Sequence, residues 1–562
     1  MKTQYGILWF ISIILLVSCG KDFLSKQPQG EVDLSTLENE AGINALLVGA
    51  YALLDGNGTM GAYPANLIWG SLRGDELHKG CDPGCGVEMA ELERQEPQSA
   101  NIYLLEKWEG LYHAIGRCND ALSLIKIVEE IDDETRNELT AEARFLRGHY
   151  HFEAKRLWNN VPYVGEDLEN HNVPNDRDIW PDILADFEYA AEYLPQTQSQ
   201  PGRATKGAAE AYLAKSYMYL KDYERAKPLL ETVITARGYS LAPLYWQNFN
   251  AAFKNNSEAI FQVQMSVNDG ANGANGNRGN WGTGVYNAGP DAPNSLGYFQ
   301  PSQDLVNAFR TENGLPLLNE YYLEGVKSDL GLSSSQPFEP HTGSLDPRLD
   351  WAVARRGIPY LGWGNFPGQN WIRDQSHGGP YMTKKYTYTK DQNGEYSEGA
   401  NSRDNAVNIN VIRLADVVLM AAECEVEIGT LEQARTYVNM IRERAANSEG
   451  FVKMDDGSNA ANYEISLYET PWTDQEMARN AVYFERRLEL ALEGHRAFDL
   501  VRWDIADQTI NRYIERESSI TGYLSGGSFS TGINEYMPIP LNEIFLSSED
   551  GVETLKQNPG YR

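Results

Sequence analysis

A cysteine near the start of the chain has the sequence context of a lipid attachment site. Cys19 follows Leu16-Val17-Ser18 at the end of an apolar run over residues 7 to 17, and Lys2 precedes that run. The run is too short to cross a bilayer and is typical of a signal peptide. An aliphatic residue three positions before the cysteine and a small residue directly before it are similar to the bacterial lipoprotein box. We therefore predict a signal peptide over residues 1–18 and an acylated Cys19 that attaches the chain to membrane lipid. The alternative is an ordinary secretory signal in which Cys19 has no role.

Two further cysteines, Cys81 and Cys85, enclose a short turn. The residues between them are Asp-Pro-Gly, and a Pro-Gly turn can bring two sulfur atoms together in an oxidising compartment. We predict a disulfide between them. A metal site is the alternative, but one cysteine pair without a second pair is a weak signal, so no metal is predicted. Cys118 and Cys424 lie in helical patterns and are predicted to be buried thiols.

Two carboxylates near the C-terminus have the residue types of a general acid and base. Glu489 and Glu493 lie one helical turn apart, and glycoside hydrolases use a pair of carboxyl groups. The same stretch contains Arg486, Arg496 and Arg502, and carboxylates among arginines usually form ion pairs between helices. We therefore predict a structural role for the pair and no catalytic residue.

Other signals of catalysis are weak. His149 and His151 lie two positions apart in a helical segment, so their side chains leave different faces and form a poor metal site. The sequence contains no nucleophile elbow, Gly-rich phosphate loop or zinc-protease motif. These observations predict a protein that is not an enzyme and needs no cofactor.

The charge balance argues against one class of partner. The 562 residues have a formal net charge of -31. Nucleic-acid binding requires a basic surface that displaces counterions, so we expect no nucleic-acid partner. A strongly anionic ligand is also disfavoured, unless a local basic patch overrides the net charge.

Hydrophobic periodicity places most of the chain in helices. Apolar residues recur at three-and-four spacing in residues 34–54, 103–131, 134–158, 180–194, 412–428, 430–446, 473–493 and 497–503. An internal repeat relates residues 211–230 to 419–438, with small residues at matching positions, as in tetratricopeptide helix pairs. Residues 268–399 contain long Gly- and Asn-rich loops, and strands are predicted at 259–267 and 381–389. We predict a mainly α fold, in which a helix-pair scaffold carries a loop-rich, mixed irregular and β part that binds a ligand.

Several short motifs follow one another along the chain. They are CGKDFL at 19–24, WEGLYHAI at 108–115, AEARFLRGHY at 141–150, DPRL at 346–349, IRLADVVLMAAE at 412–423, ERRLELALEGHRAFDLVRW at 485–503 and QNPGY at 557–561. In this order they resemble the SusD/RagB family of outer-membrane nutrient-uptake lipoproteins of Bacteroidota. The resemblance covers nearly the whole mature chain, and the motif at 485–503 is its most specific part.

The resemblance implies a fold, a location and a partner. It implies a SusD-like α-α superhelix over residues 19–562, with an N-terminal part of about 19–240 and a C-terminal part of about 241–562. The lipoprotein would be anchored in the outer membrane at the cell surface and would capture a polysaccharide or oligosaccharide. It would deliver this ligand to a TonB-dependent SusC-like transporter, on which it sits like a lid. Capture of peptides or glycoprotein-derived ligands is the alternative, and a glycoside hydrolase is the third possibility.

The candidate ligand-binding residues lie in the loops. Sugar rings pack their apolar faces on aromatic side chains, and their hydroxyl groups need polar partners. The irregular segments contain both kinds of residue, and the candidates are Trp69, Arg73, Asp75, Trp281, Tyr286, Trp363, Asn365 and Trp371. The alternative for each aromatic residue is a packing role in a partly buried position.

Overall fold

The computed structural model describes residues 37–168, 172–271 and 291–562, together with the backbone of the short strand Val285–Tyr286. Cys19 and the predicted signal peptide lie outside the described residues. Among the helices of the described ranges, none combines the length and the hydropathy of a membrane-spanning helix.

Helices form the scaffold of the N-terminal part. In order they are α1 (Glu40–Ala52), α2 (Val87–Glu93), α3 (Ile102–Ile127), α4 (Asp133–Trp158), α5 (Trp180–Tyr193), α6 (Lys206–Tyr219) and α7 (Tyr223–Ala236). Side chains of Asn101, Asp132 and Thr205 accept hydrogen bonds from backbone N–H groups at the starts of α3, α4 and α6. These caps fix where the three helices begin. Each helix from α3 to α6 packs on the next one.

The C-terminal part is also helical and completes the internal repeat. Its helices are α8 (Gln303–Ala308), α9 (Leu349–Ala352), α10 (Gln375–Gly378), α11 (Leu414–Ile428), α12 (Leu431–Ala445), α13 (Gln475–Glu489), α14 (Arg496–Arg502), α15 (Ala506–Glu517) and α16 (Leu541–Leu546). The repeated segments form two helix pairs, α6 with α7 and α11 with α12, and α7 packs on α11. Ala214, Ala226, Ala422 and Ala434 are fully buried in these contacts. Their small side chains let the helix axes approach closely.

The strands are short and connect the loops to the helices. They are β1 (Leu77–Gly80), β2 (Ala259–Val263), β3 (Val285–Tyr286), β4 (Asn294–Ser295), β5 (Tyr298–Pro301), β6 (Thr311–Glu312), β7 (Leu315–Pro316), β8 (Val353–Ala354), β9 (Met382–Thr383), β10 (Ile409–Arg413), β11 (Ser548–Glu549) and β12 (Val552–Glu553). Strand β3 pairs with β4 in parallel, and the antiparallel pairs are β1–β5, β2–β10, β6–β7, β8–β9 and β11–β12.

One strand prediction is confirmed in part and the other is mostly wrong. The strand predicted at 259–267 forms as β2, whereas the strand predicted at 381–389 is reduced to β9. Every residue from 381 to 388 is buried, so the side chains do not alternate between a core face and a solvent face. This segment runs through the interior as irregular chain.

A buried ion network joins the C-terminal helices to the central strands. Its arginines are Arg348, Arg413, Arg442 and Arg444, and its glutamates are Glu258, Glu485, Glu489 and Glu493. Glu489 contacts Arg413 at 2.6 Å and Arg348 at 3.0 Å, and Glu493 contacts Arg413 at 2.8 Å. These arginines hold the pKa values of Glu489 and Glu493 below their usual range despite burial. The two carboxylates that resembled an acid–base pair are therefore part of the scaffold.

Candidate functional site

Three of the predicted ligand-binding residues are buried in the scaffold. Trp69 is 1% exposed, and its Nε1–H donates to the Gly61 carbonyl oxygen at 2.6 Å. Arg73 donates to the carbonyl oxygen of Asn534 at 2.8 Å. Asp75 is fully buried and accepts two hydrogen bonds from Arg496, at 2.8 and 2.9 Å. The expectation that these three residues face a ligand is corrected, because the Trp69 ring is buried and the polar groups of all three form hydrogen bonds within the protein.

Trp363 and Trp371 also pack inward, whereas Asn365 faces solvent. Each tryptophan is 8% exposed and belongs to a small hydrophobic cluster separate from the main core. The Trp371 ring packs edge-on against Tyr360 and Phe366, at centroid distances of 5.7 Å each. The flat faces on which a sugar would stack are thus covered. Asn365 lies on the exposed side of this loop.

The remaining two candidates lie in or beside the undescribed part of a loop. Trp281 lies outside the described residues. For Tyr286 only the backbone is described, in β3, which pairs with β4 through Val285 opposite Asn294. Strand β3 also contacts the turn Gln369–Trp371. The structure therefore brings the segment of Tyr286 next to the loop that carries Trp371.

These loops meet on one side of the molecule, which we call the loop face. We define it by four segments, residues 81–88, 291–298, 363–378 and 401–404. The antiparallel pair β1–β5 places the first segment beside the second. An ion pair of 2.5 Å between Asp82 and Arg373 joins the first segment to the third. The backbone N–H of Asn294 donates to the Asn401 carbonyl oxygen at 3.4 Å and joins the second segment to the fourth.

A disulfide closes the first segment of the loop face. Cys81 and Cys85 are bonded, with their Cα atoms 6.3 Å apart. Lys79 Nζ donates to the carbonyl oxygens of Asp82 and Cys85, at 2.9 and 2.6 Å, and holds the turn from inside. Sulfur atoms in a disulfide are not thiolates, so the bonded pair does not supply the ligands that a thiolate metal site requires. Cys118 and Cys424 are buried free thiols.

A buried histidine anchors β1 behind this turn. The ring nitrogens of His78 lie 2.9 Å from Glu93 and 3.0 Å from Glu517, which belongs to α15. Burial alone lowers the pKa of His78, but the two carboxylates outweigh it and raise the pKa to about 9. The charged imidazole therefore links the strand that carries the disulfide turn to the C-terminal helices.

The loop face combines apolar surface with hydrogen-bonding groups. Tyr298 is half-buried, and burial raises the pKa of its phenol although the nearby Arg373 opposes the shift. The phenol is therefore neutral at pH 7 and can donate and accept hydrogen bonds. Leu296 beside it is 46% exposed. Burial lowers the pKa of His377, and its Nε2 is buried without a hydrogen-bond partner among the residues that the structure describes, so this nitrogen does not face solvent. Such a surface can pack on a flat polar molecule and bind its hydroxyl groups.

Comparison with known proteins assigns the chain to a family. One family model, described as the SusD family, matches residues 257–561, which is more than half of the chain. The chain belongs to the SusD family. A second model, described as starch-binding associating with outer membrane, matches residues 22–218 of this SusD-family protein. The family resemblance inferred from the motifs is thereby confirmed.

Relatives and solved structures agree with this assignment. A SusD-like protein P25 from Formosa agariphila is 26% identical over 100% of both chains. A SusD superfamily protein from Bacteroides vulgatus superposes with a TM-score of 0.70, at 23% identity over 93% of this chain and 99% of that one. Surface glycan-binding protein A from Bacteroides thetaiotaomicron, solved with laminarihexaose, has a TM-score of 0.66, at 20% identity over 92% and 99% of the two chains. At these identities the solved structures establish the shared, mainly α fold.

Sequence reasoning missed three residues of the loop face of this SusD-family protein. Tyr298, Arg373 and His377 were not among the candidates, although all three lie in the Gly- and Asn-rich middle of the chain. The available signal was the clustering of aromatic and charged residues just outside the loops that contain tryptophan. Tryptophan is the largest aromatic residue and was therefore favoured as a candidate for sugar stacking. Its large apolar area also favours burial.

Proposed function

We propose that this SusD-family protein captures a polysaccharide or oligosaccharide at the loop face without cleaving it, and delivers it to a TonB-dependent SusC-like transporter. The observation that supports this proposal best is the composition of the loop face. Tyr298 and Leu296 offer apolar surface beside Arg373, Asp82 and Asn294, whose polar groups suit sugar hydroxyls. The related surface glycan-binding protein solved with laminarihexaose supports the same class of ligand. The strand Val285–Tyr286 pairs with Asn294–Ser295 of the loop face, and Trp281 and Tyr286 remain proposed parts of the site.

A glycan panel followed by one aromatic substitution tests the binding site. Calorimetry of the mature chain against neutral and acidic polysaccharides should identify a ligand. Tyr298→Ala should then weaken binding by about tenfold or more, as truncation of a central aromatic contact does in other interfaces. Tyr298→Phe should retain most of the affinity, because it keeps the ring and removes only the hydroxyl group.

The matched control is Tyr193→Ala at a position that is 38% exposed on α5, outside the loop face. This variant should keep both the affinity and the melting temperature of the parent chain. Unchanged affinity in Tyr298→Ala would move the site away from Tyr298. Reducing sugar released during long incubation with the parent chain would contradict the non-catalytic part of the proposal.

We also propose that residues 1–18 are removed as a signal peptide and that acylated Cys19 anchors residues 19–562 in the outer membrane at the cell surface. The Leu-Val-Ser-Cys sequence at 16–19 supports this. Cys19→Ala should abolish incorporation of a labelled fatty acid and release the protein from membranes, since attachment depends on the acyl chains. Cys118→Ala, at a buried free thiol, should keep the full label. Undiminished labelling of the Cys19 variant would rule out lipid attachment at this residue.

A further inference from the structure

A second aromatic surface lies outside the loop face. The rings of Trp246 and Trp351 stack with centroids 5.6 Å apart and 27° between their planes. Phe253 packs edge-on against Trp246 at 5.3 Å and is 38% exposed. Trp246 and Trp351 are themselves only half-buried. Contiguous exposed aromatic surface of this kind often marks a binding site.

A cleft of about 600 Å³ opens beside Trp351. Among the residues that line it are Trp351, Leu361, Lys384, Lys390, Phe451 and Lys453. Trp351 Nε1–H donates to the Gly450 carbonyl oxygen at 2.6 Å, which fixes the position of the adjacent Phe451 in the wall. The volume lies within the range of about 300 to 1,000 Å³ that is usual for small-molecule sites.

None of the three lysines that line the cleft forms a salt bridge with a described carboxylate. Lys384 is 3% exposed, and its Nζ donates to the carbonyl oxygens of Asp350 and Pro359, at 2.6 and 2.7 Å. An ammonium group has three N–H donors, so one donor of Lys384 has no acceptor within the described ranges. Burial lowers the pKa of Lys384 to about 8, which leaves most of it protonated at pH 7. Lys390 and Lys453 are exposed and form no ion pair with any described residue. Lys453 Nζ donates to Asn459 Oδ1 at 2.5 Å and lies 5.7 Å from the centre of the Phe451 ring, and Lys390 Nζ lies 5.7 Å from the centre of the Trp363 ring. Neither contact neutralises the charge, so both ammonium groups can still attract an anion.

The lining of the cleft thus contains three lysines and one acidic residue, Asp391. The chain as a whole has a formal net charge of -31. The chain as a whole repels anions, so a cleft with this balance is a local basic patch that can attract one. A ligand that matches both features has a flat apolar face for Phe451 and Trp351 and a carboxylate for the lysines. A sugar ring that carries a carboxylate meets this requirement.

We propose that this cleft is a second saccharide site, and that it binds a uronic-acid residue or a short uronate chain. The sugar ring packs on Phe451 and Trp351, and its carboxylate accepts hydrogen bonds from Lys384, Lys390 and Lys453. This inference rests on the proposed function, because it takes saccharides to be the ligands of the chain. It adds a site that is chemically distinct from the loop face, which has its own aromatic and polar groups.

Trigalacturonate and its methyl ester form a matched pair of probes, because esterification removes the negative charges and adds only a methyl group to each carboxyl group. By calorimetry at low salt, the acid should bind the mature chain at least about tenfold more tightly than the ester. Lys390→Gln and Lys453→Gln should each weaken binding of the acid by about three- to fivefold, which is the upper end of the range for exposed charge pairs. Phe451→Ala should weaken it by about tenfold. Higher salt should also weaken it, since exposed charges are screened.

Controls separate this site from the loop face and from general electrostatic attraction. Lys206→Gln, at the start of α6 and outside the cleft, should leave the affinity for trigalacturonate unchanged. Tyr298→Ala should also leave it unchanged, so failure of the loop-face proposal would not affect this result. Equal affinities for the acid and the ester would overturn the inference, as would undetectable binding of the acid at millimolar concentration or parent-like affinity in both lysine variants. Tighter binding of triglutamate than of trigalacturonate would assign the cleft to acidic peptides instead.

Discussion

Replacement of Arg413 by methionine should destabilise the protein by about 3 to 5 kcal/mol, the usual cost of removing one partner from a buried ion pair. Arg413 is almost fully buried, and all five of its N–H groups are used. They contact the carboxylates of Glu258, Glu489 and Glu493, at 2.6 to 2.9 Å, and one also donates to the Glu489 carbonyl oxygen. Methionine fills similar space without charge, so the remaining carboxylates would be buried with too few cations. Denaturant unfolding of both proteins measures the difference in the free energy of unfolding.

Arg177→Met is the matched control for this prediction. Arg177 forms an ion pair of 2.5 Å with Asp182, but its side chain is 51% exposed. An exposed pair contributes about 0 to 1 kcal/mol, so this variant should unfold nearly like the parent protein. If Arg413→Met were as stable as the control, the network would not be a main support of the C-terminal helices. A higher free energy of unfolding for Arg413→Met would mean that an apolar side chain stabilises this position more than the ion network does.

Replacement of Trp69 by alanine should also destabilise the protein by about 3 to 5 kcal/mol, as expected when a large buried aromatic residue is removed from a core. The ring is enclosed within the main hydrophobic core, and its indole N–H is bonded to Gly61. Alanine would leave a cavity and an unpaired carbonyl oxygen. The folded fraction should still bind the glycan that the panel identifies, because Trp69 does not reach the loop face.

Phe545→Ala provides the comparison for Trp69→Ala, since Phe545 is 64% exposed and its removal should change stability by less than about 0.5 kcal/mol. The two measurements to compare are the free energy of unfolding and the glycan affinity per folded molecule. A Trp69 variant that kept its stability and lost its affinity would restore Trp69 to the binding site. That outcome would contradict the burial described above.

Local patterns were sufficient to predict the scaffold. Helices α3 and α4 begin at the caps Asn101 and Asp132, and their apolar residues recur with the helical period. Helix α6, which Thr205 caps, was indicated by the internal repeat that begins at residue 211. The Pro-Gly turn between Cys81 and Cys85 predicted a bond that the structure contains. These features depend on residues only a few positions apart, so the sequence by itself determines them.

The loop face depends on contacts between distant parts of the chain. Trp69 was predicted in a loop, but it lies in a short helix, Leu67–Leu72. The Gly494 carbonyl oxygen lies only 1.8 Å from where a Cβ on Gly70 would be, so the C-terminal motif packs directly on this helix and helps to cover it. Likewise, Arg373 reaches the loop face because it pairs with Asp82, far away along the chain. Whether a loop side chain is buried or exposed is decided by the segment that packs on it, and local composition contains no information about that segment. The sequence therefore determined the helices, the disulfide turn and the family, whereas only the tertiary structure decided which aromatic and charged residues can meet a ligand.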